Sequence, residues 1–97
     1  MTRGELWLAA IDKIRPVLVM STFTGLNDLQ VIPATSRVRG LDTEVLVGIA
    51  DGLYDECVLN AQQLQLVPRE AFSLQIGELS RLKMAEVCRA IKGSIGC

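Results

Sequence analysis

The side chains able to do chemistry in this sequence are few and of one kind: Arg15, the adjacent hydroxyls of Thr35 and Ser36, and the cations Arg37 and Arg39. The sequence contains no histidine, which removes the commonest general base and every Ser/His/Asp or Cys/His nucleophile system. A glycine-rich phosphate loop and a C-x-x-C pair are also missing. Three cysteines, Cys57, Cys88 and Cys97, are an odd number at spacings that indicate neither a disulfide framework nor a zinc site, so Cys57 and Cys88 read as packed thiols. The remaining set is suited to gripping an anion, because a guanidinium on a rigid element binds phosphate or carboxylate through paired hydrogen bonds. A plainer reading stands beside it. Arg15 can pair with Asp12 at the surface for at most about 1 kcal/mol, Thr35 and Ser36 can close a turn through bonds to the backbone, and Arg37 with Arg39 can be a solvated basic edge.

These groups need elements to hold them. Residues 14 to 21 are organised around Val17, Leu18, Val19 and Met20, an unbroken apolar run that cannot point to one face of a pleated strand. The segment therefore reads as a central strand buried on both faces, with Pro16 near its start and Arg15 held at its mouth. Glu5 to Ala10 has the length of a partner strand, with Trp7 opposite in face to Leu6 and Leu8 and more suited to core or interface than to a ligand platform. The link Ile11 to Ile14 pairs the two as a hairpin. Thr22 to Asp28 reads as a loop. A third strand follows over Leu29 to Ser36, with Pro33 marking an edge or a bulge that re-aims the hydroxyls after it. Arg37 to Gly40 form a basic turn, and Thr43 to Ile49 alternate as a half-buried strand. Asp55 to Asn60 and Gln62 to Val67 complete the strands, the latter alternating Leu64 and Leu66 with Gln63 and Gln65. From Ser80, a plausible N-cap, the spacing of Met84, Val87, Cys88 and Ile91 predicts an amphipathic helix of about three turns, with Gly93 past its end. Five or six short strands and a terminal helix, with no helix between the early strands, predict a small, strongly bent antiparallel sheet or barrel.

With 97 residues, 49% of them apolar, the chain is sized for one domain over residues 1 to 97. No run approaches the roughly 20 apolar residues of a membrane span, and Glu5 interrupts the place of a signal peptide, so a cytoplasmic location is expected. The net charge of −1 argues against a general nucleic-acid coat protein. Yet residues 1 to 40 carry five basic and three acidic groups, residues 41 to 80 one and seven, and residues 81 to 97 four and one. A polyanion must therefore be met locally, by a few arginines on one face.

Five pieces, Gly4-Glu5-Leu6-Trp7, Arg15-Pro16-Val17-Leu18-Val19-Met20-Ser21, Val31-Ile32-Pro33-Ala34-Thr35-Ser36, Gly52-Leu53 leading into Val58, and Ile76-Gly77-Glu78-Leu79, together resemble the MazF/PemK/Kid toxins of toxin–antitoxin systems, nearly end to end. The resemblance implies a mainly β (α+β) fold, an SH3-like antiparallel β-barrel with a C-terminal α-helix of the CcdB/MazF kind. It implies a homodimer, no cofactor and no metal, and a ribosome-independent endoribonuclease that cuts single-stranded RNA and is neutralised by a cognate antitoxin. In such enzymes the substrate's own 2′-hydroxyl attacks phosphorus, so the protein need only orient the RNA and neutralise growing charge. By position, Arg15 matches the family's catalytic arginine and Thr35 its catalytic threonine, with Ser36 adding a hydroxyl.

Two departures accompany the match. The link between the first two strands is shorter than in many relatives and keeps only Asp12 of the acidic loop that borders the groove there. An arginine–aspartate pair used by Kid-like members is replaced by Asn60 and Gln62. Asn60 and Gln63 can still read base edges or, equally, cap a turn, and Cys57 takes a position where many relatives have serine. Arg37, Arg39, Asn60, Gln63 and Asp12 are the expected substrate contacts. Two other readings compete: a non-enzymatic CcdB-like toxin that binds a protein target through the terminal helix, for which the Ile95 to Cys97 tip offers little of the aromatic or apolar surface needed, and an inactive SH3-like interaction module.

Overall fold

Val17, Leu18, Val19 and Met20 are all buried, and they are buried in two different directions, in a computed structural model that describes residues 1–21 and 27–91. Leu18 and Met20 enter a larger core with Leu6, Ile32, Leu59 and Val87, whereas Val17 and Val19 enter a smaller one with Ala9, Leu29, Val31 and Val67. The run belongs to β2 (Ile14–Ser21), which lies between β1 (Glu5–Ala10) and β3 (Asp28–Thr35). Both neighbours are antiparallel to it, and β1 and β2 form the expected hairpin. β4 (Glu44–Val47), β5 (Cys57–Asn60), β6 (Gln65–Pro68) and β7 (Phe72–Glu78) complete a seven-stranded sheet in the order β4-β5-β3-β2-β1-β7, with β6 also on β3. The helix α1 (Arg81–Ile91) packs on β4 and on the short helical turn Ala61–Gln63, burying Val87 and Ile91 in the larger core. Ser80 caps it as expected, its Oγ accepting from Lys83 N–H at 3.2 Å. The result is a bent, barrel-like antiparallel sheet covered on one face by α1.

Pro33 is not on an edge strand. β3 pairs with β6 through Asp28–Val31 and with β5 through Ala34 and Thr35, so Pro33 stands where the strand passes from one partner to the other. A residue without an N–H costs no ladder bond at such a handover. The bend it marks starts the second half of the sheet, which carries Thr35 at its beginning.

Several expectations change in detail. β4 stops at Val47 because Gly48 turns the chain, donating its N–H to Asp51 Oδ2 at 2.8 Å, and Ile49 is left 76% exposed. The segment after Asn60 begins as a turn and becomes a strand only at Gln65, since Asn60 Oδ1 accepts from Gln62 N–H at 3.0 Å. β7 is a strand that the sequence reading omits, although Phe72-Ser73-Leu74-Gln75-Ile76 alternates; it pairs only with β1, across two register shifts. Trp7 is half-buried, donates Nε1–H to Glu5 Oε1 at 2.9 Å, and meets Phe72 edge-on. Cys57 is a free thiol as read, but Cys88 is disulfide-bonded, against that reading. The loop Thr22 to Leu26, Gly93 and the Ile95 to Cys97 tip lie outside the described residues.

Two of the family pieces meet backbone to backbone. A Cβ on Gly77 would overlap the carbonyl oxygen of Asp51, and one on Gly52, at φ +106°, would overlap that of Ile76. The turn Ile49–Asp51 is thereby pressed on β7 in a space only glycine fits. Gly77→Ala is therefore expected to lower stability by about 1–3 kcal/mol through overpacking, read from the denaturant midpoint. Gly40→Ala, where φ is +75° but nothing crowds the Cβ, is expected to cost less.

Candidate active site

The register of β2 on β3 decides what faces what. Val17 pairs with Pro33, Leu18 with Ile32 and Val19 with Val31. Two residues before Val17 is Arg15, and two residues after Pro33 is Thr35, so the same alignment carried to the strand ends sets them side by side. Alternation gives Arg15 the face of Val17 and Val19, and Thr35 the face of Val31. That is the face of the smaller core, away from α1. A slip of one residue would send the two side chains to opposite sides.

A groove of about 510 Å³ opens there, lined by Asp12, Arg15, Thr35, Arg37, Arg39 and Gln63, together with Ile11, Pro33 and Gln65. It therefore brings together six of the eight residues singled out from the sequence. Ser36 is exposed and does not line it. Asn60 is 5% exposed and its Oδ1 is used by the turn that follows, so the capping alternative describes it, and the groove is reached by Gln63 at the end of that turn. Gln65 was missed as a site residue. The signal was present in the alternation of Gln63 and Gln65 with Leu64 and Leu66, and both glutamines line the groove although the strand begins only at Gln65.

Arg15 is stiffened at both ends. Its backbone pairs with Ala9 in the hairpin, and its guanidinium donates Nε–H to Asp12 Oδ1 at 2.8 Å and Nη2–H to Asp12 Oδ2 at 3.1 Å. This fork geometry uses two of the five guanidinium N–H groups and leaves the rest for a ligand. The same bonds, with Asp12's own N–H and that of Lys13, hold the Asp12 carboxyl well below the usual carboxylate range, and Asp12 in turn raises the pKa of Arg15. The plain reading of an Asp12–Arg15 surface pair is thus correct as geometry, and it sits inside the groove. Thr35 likewise makes the predicted turn bond, its Oγ1 accepting from Arg37 N–H at 3.3 Å. That bond engages the oxygen as an acceptor and leaves the hydroxyl proton free to be donated. Neither Arg37 nor Arg39 has an ion pair among the described residues. Cys57 does not line the groove, and burial, then Asp55, push its thiol pKa up, away from a reactive thiolate.

The fold and the groove define the class, a small barrel-like protein that holds an arginine and a hydroxyl at the ends of neighbouring strands, an arrangement suited to an anion. Within that class the assignment is specific: residues 2–95 match the model of the PemK-like, MazF-like toxins of type II toxin–antitoxin systems, and the chain belongs to that family. It is 34% identical over 102 residues to the probable endoribonuclease MazF2 of Mycobacterium tuberculosis H37Rv, covering 100% of both chains. Among solved structures, the Mycobacterium tuberculosis toxin MazF-mt6 superposes with a TM-score of 0.84 at 33% identity, covering 92% of this chain and 93% of that one. A MazE-MazF structure from Deinococcus radiodurans superposes with a TM-score of 0.80 at 28% identity, covering 98% and 93%. No helix among the described residues is long and apolar enough to cross a membrane.

The pair at the groove has a pH signature. A depressed carboxyl pKa contributes stability that is present above the ordinary aspartate value of about 3.9 and is lost as pH falls through the folded value. An NMR titration of the Asp12 carboxyl carbon is expected to have its midpoint well below the ordinary range, and Arg15→Ala to return it there. A midpoint in the ordinary range in the wild type would mean the fork is not formed.

Proposed function

We propose that this chain is the toxin of a type II toxin–antitoxin pair: a single-domain, sequence-specific endoribonuclease that cuts single-stranded RNA in the cytoplasm, acts as a homodimer and is neutralised by its cognate antitoxin. The observation that carries the reading is that Arg15 and Thr35 share one groove with Arg37 and Arg39. Family membership, and a relative of matching length named as an endoribonuclease, support it.

The chemistry asked of the groove is a transesterification. The 2′-oxygen of the RNA forms a bond to the adjacent phosphorus, the bond from phosphorus to the 5′-oxygen breaks, and the products are a 2′,3′-cyclic phosphate and a 5′-hydroxyl. One proton leaves the attacking hydroxyl and one joins the leaving oxygen, so the step consumes no water. Arg15 has the role of clamping the non-bridging oxygens, where charge accumulates, with the N–H groups that Asp12 leaves free. Its pKa, ordinarily far above neutral and raised further by Asp12, makes it unfit as a base. Asp12, depressed by the same pair, is a weak base while the pair lasts. Catalysis by this set is therefore orientation and charge neutralisation. Thr35 donates its hydroxyl proton to a phosphoryl oxygen or aligns the attacking hydroxyl. Arg37 and Arg39 meet flanking phosphates, and Gln63 and Gln65 offer amides to base edges. Asp12, once the phosphate takes over Arg15, can accept from a base amino group. A two-fold dimer brings two such clusters beside one another, and an acidic antitoxin segment competes with RNA for the same cations.

The test is a long transcript incubated with the purified protein in EDTA, with the ends mapped. Discrete cuts bearing cyclic phosphate are expected. Arg15→Ala is expected to lose about 10²–10³-fold in rate, as removal of a charge-stabilising donor does, Arg15→Lys to keep part of it, and Thr35→Ala to lose about tenfold, as loss of one neutral hydrogen bond does, each with the fold retained and only a small fall in melting temperature from the lost Asp12–Arg15 pair or Thr35–Arg37 turn bond. Uncut RNA, or equal cutting by Arg15→Ala, would contradict the proposal.

A further inference from the structure

The segment that carries Arg37 and Arg39 into the groove has little structure of its own. Residues 36–41 form no regular element and are exposed throughout. At its start it is tied by the Arg37 N–H bond to Thr35 Oγ1. At its end a single side chain gathers three successive backbone donors: the Glu44 carboxylate accepts from Arg39 N–H at 3.1 Å, Gly40 N–H at 2.8 Å and Leu41 N–H at 3.1 Å. Gly40, at φ +75°, supplies the left-handed step that turns these donors inward, and the contact is closed by Glu44 N–H to Leu41 O at 3.1 Å. Such a concavity of backbone N–H groups is an anion site, and here the anion is internal. Glu44 is itself fixed, as the first residue of β4, in register with buried Asn60.

We infer that Glu44 is a positioning residue for RNA binding: its carboxylate holds the Arg37–Leu41 turn so that two guanidinium groups face the groove before the RNA arrives. The inference rests on the endoribonuclease reading and adds to it a residue that touches no substrate. The carboxylate is directed to backbone N–H groups and forms no ion pair with either arginine among the described residues, so it orders the basic turn while leaving both guanidinium groups to phosphate. Without it, Arg37 and Arg39 keep their charge and lose their placement, and the ordering cost moves into binding.

The test uses the full chain and a short RNA oligonucleotide spanning a cut site mapped for the wild type. In the series Glu44→Gln and Glu44→Ala, KM is expected to rise stepwise, to about tenfold for alanine, with kcat within about twofold, because binding and not the transition state is affected. In an Arg37→Ala/Arg39→Ala background, Glu44→Ala is expected to add nothing further to KM, since the residues through which it acts are gone. Amide hydrogen exchange at Arg39, Gly40 and Leu41 should accelerate in Glu44→Ala while amides of β2 and β3 keep their protection. An equal rise in KM in both backgrounds, or unchanged exchange at those three amides, would overturn the inference. Should the wild type leave RNA intact, the endoribonuclease reading falls by itself. Exchange then decides the clamp alone: acceleration confined to residues 39–41 upholds it and unchanged exchange refutes it.

Discussion

Burial of the β2 run on both of its faces is the constraint from which the groove's geometry follows. Leu18 and Met20 are committed to the core under the helix, and Val17 and Val19 to the core on the other side. Each such side chain contributes about 1.5–3 kcal/mol by leaving water. Sliding β2 along β3 by one residue exchanges the two sets, so the hydrophobic pattern pins the register. That register brings Arg15 beside Thr35, and the alignment of the reactive groups is a consequence of apolar packing two residues away. Gly4 adds to the fixation from the far end of the strand, donating its N–H to Val19 O at 2.9 Å and accepting from Leu79 N–H at 2.8 Å.

Electrostatics then act on a prearranged frame. The whole molecule, at a net charge of −1, does not draw a polyanion from a distance. What it offers is a local set of three guanidinium groups with one carboxylate among them. Asp12 occupies part of Arg15 in the fork geometry a phosphate also uses, so the arginine is already extended and oriented when a ligand comes. On the proposed function, an incoming phosphodiester shares or displaces that carboxylate, which would favour ligands that satisfy several donors at once. The two carboxylates beside the cations act in different ways, Asp12 bonding the Arg15 guanidinium and Glu44 bonding backbone N–H groups.

Much of this was legible in the residues themselves, and the failures have identifiable causes. The two-sided β2 run, the hairpin with β1 and the helix after Ser80 are strong periodic signals, and their expected bounds agree with the structure. β7 alternates Phe72, Leu74 and Ile76 with Ser73 and Gln75, but it follows closely on the stop at Pro68 and lies at the sheet edge, where Leu74 stays 57% exposed. Asn60 suggested a base reader since nothing in a one-dimensional pattern says that its carbonyl closes the next turn, and that same turn shortened the strand expected from Gln62. Pro33 was legible as an interruption, but whether it marks an edge or a change of partner depends on β5 and β6, which arrive from elsewhere in the chain. Ser36 and Thr35 are equivalent as letters; only the end of β3 distinguishes the one that faces the groove. Glu44, three residues past the basic turn, becomes meaningful only when the backbone folds back over it.

On the proposed function, a site without histidine, in which the arginine is held in its charged form and the nearby carboxylate is a weak base, relies on the substrate to supply the attacking group. The most direct measurement is therefore made on the substrate. An oligonucleotide spanning the mapped cut site is prepared with a single 2′-deoxy sugar on the 5′ side of the scissile phosphate, and its binding and cleavage are compared with those of the all-ribose parent. The account predicts that affinity is retained within a few-fold while cutting at that position disappears. Continued cutting at the deoxy position would mean that water or a protein group is the nucleophile, and would contradict the account.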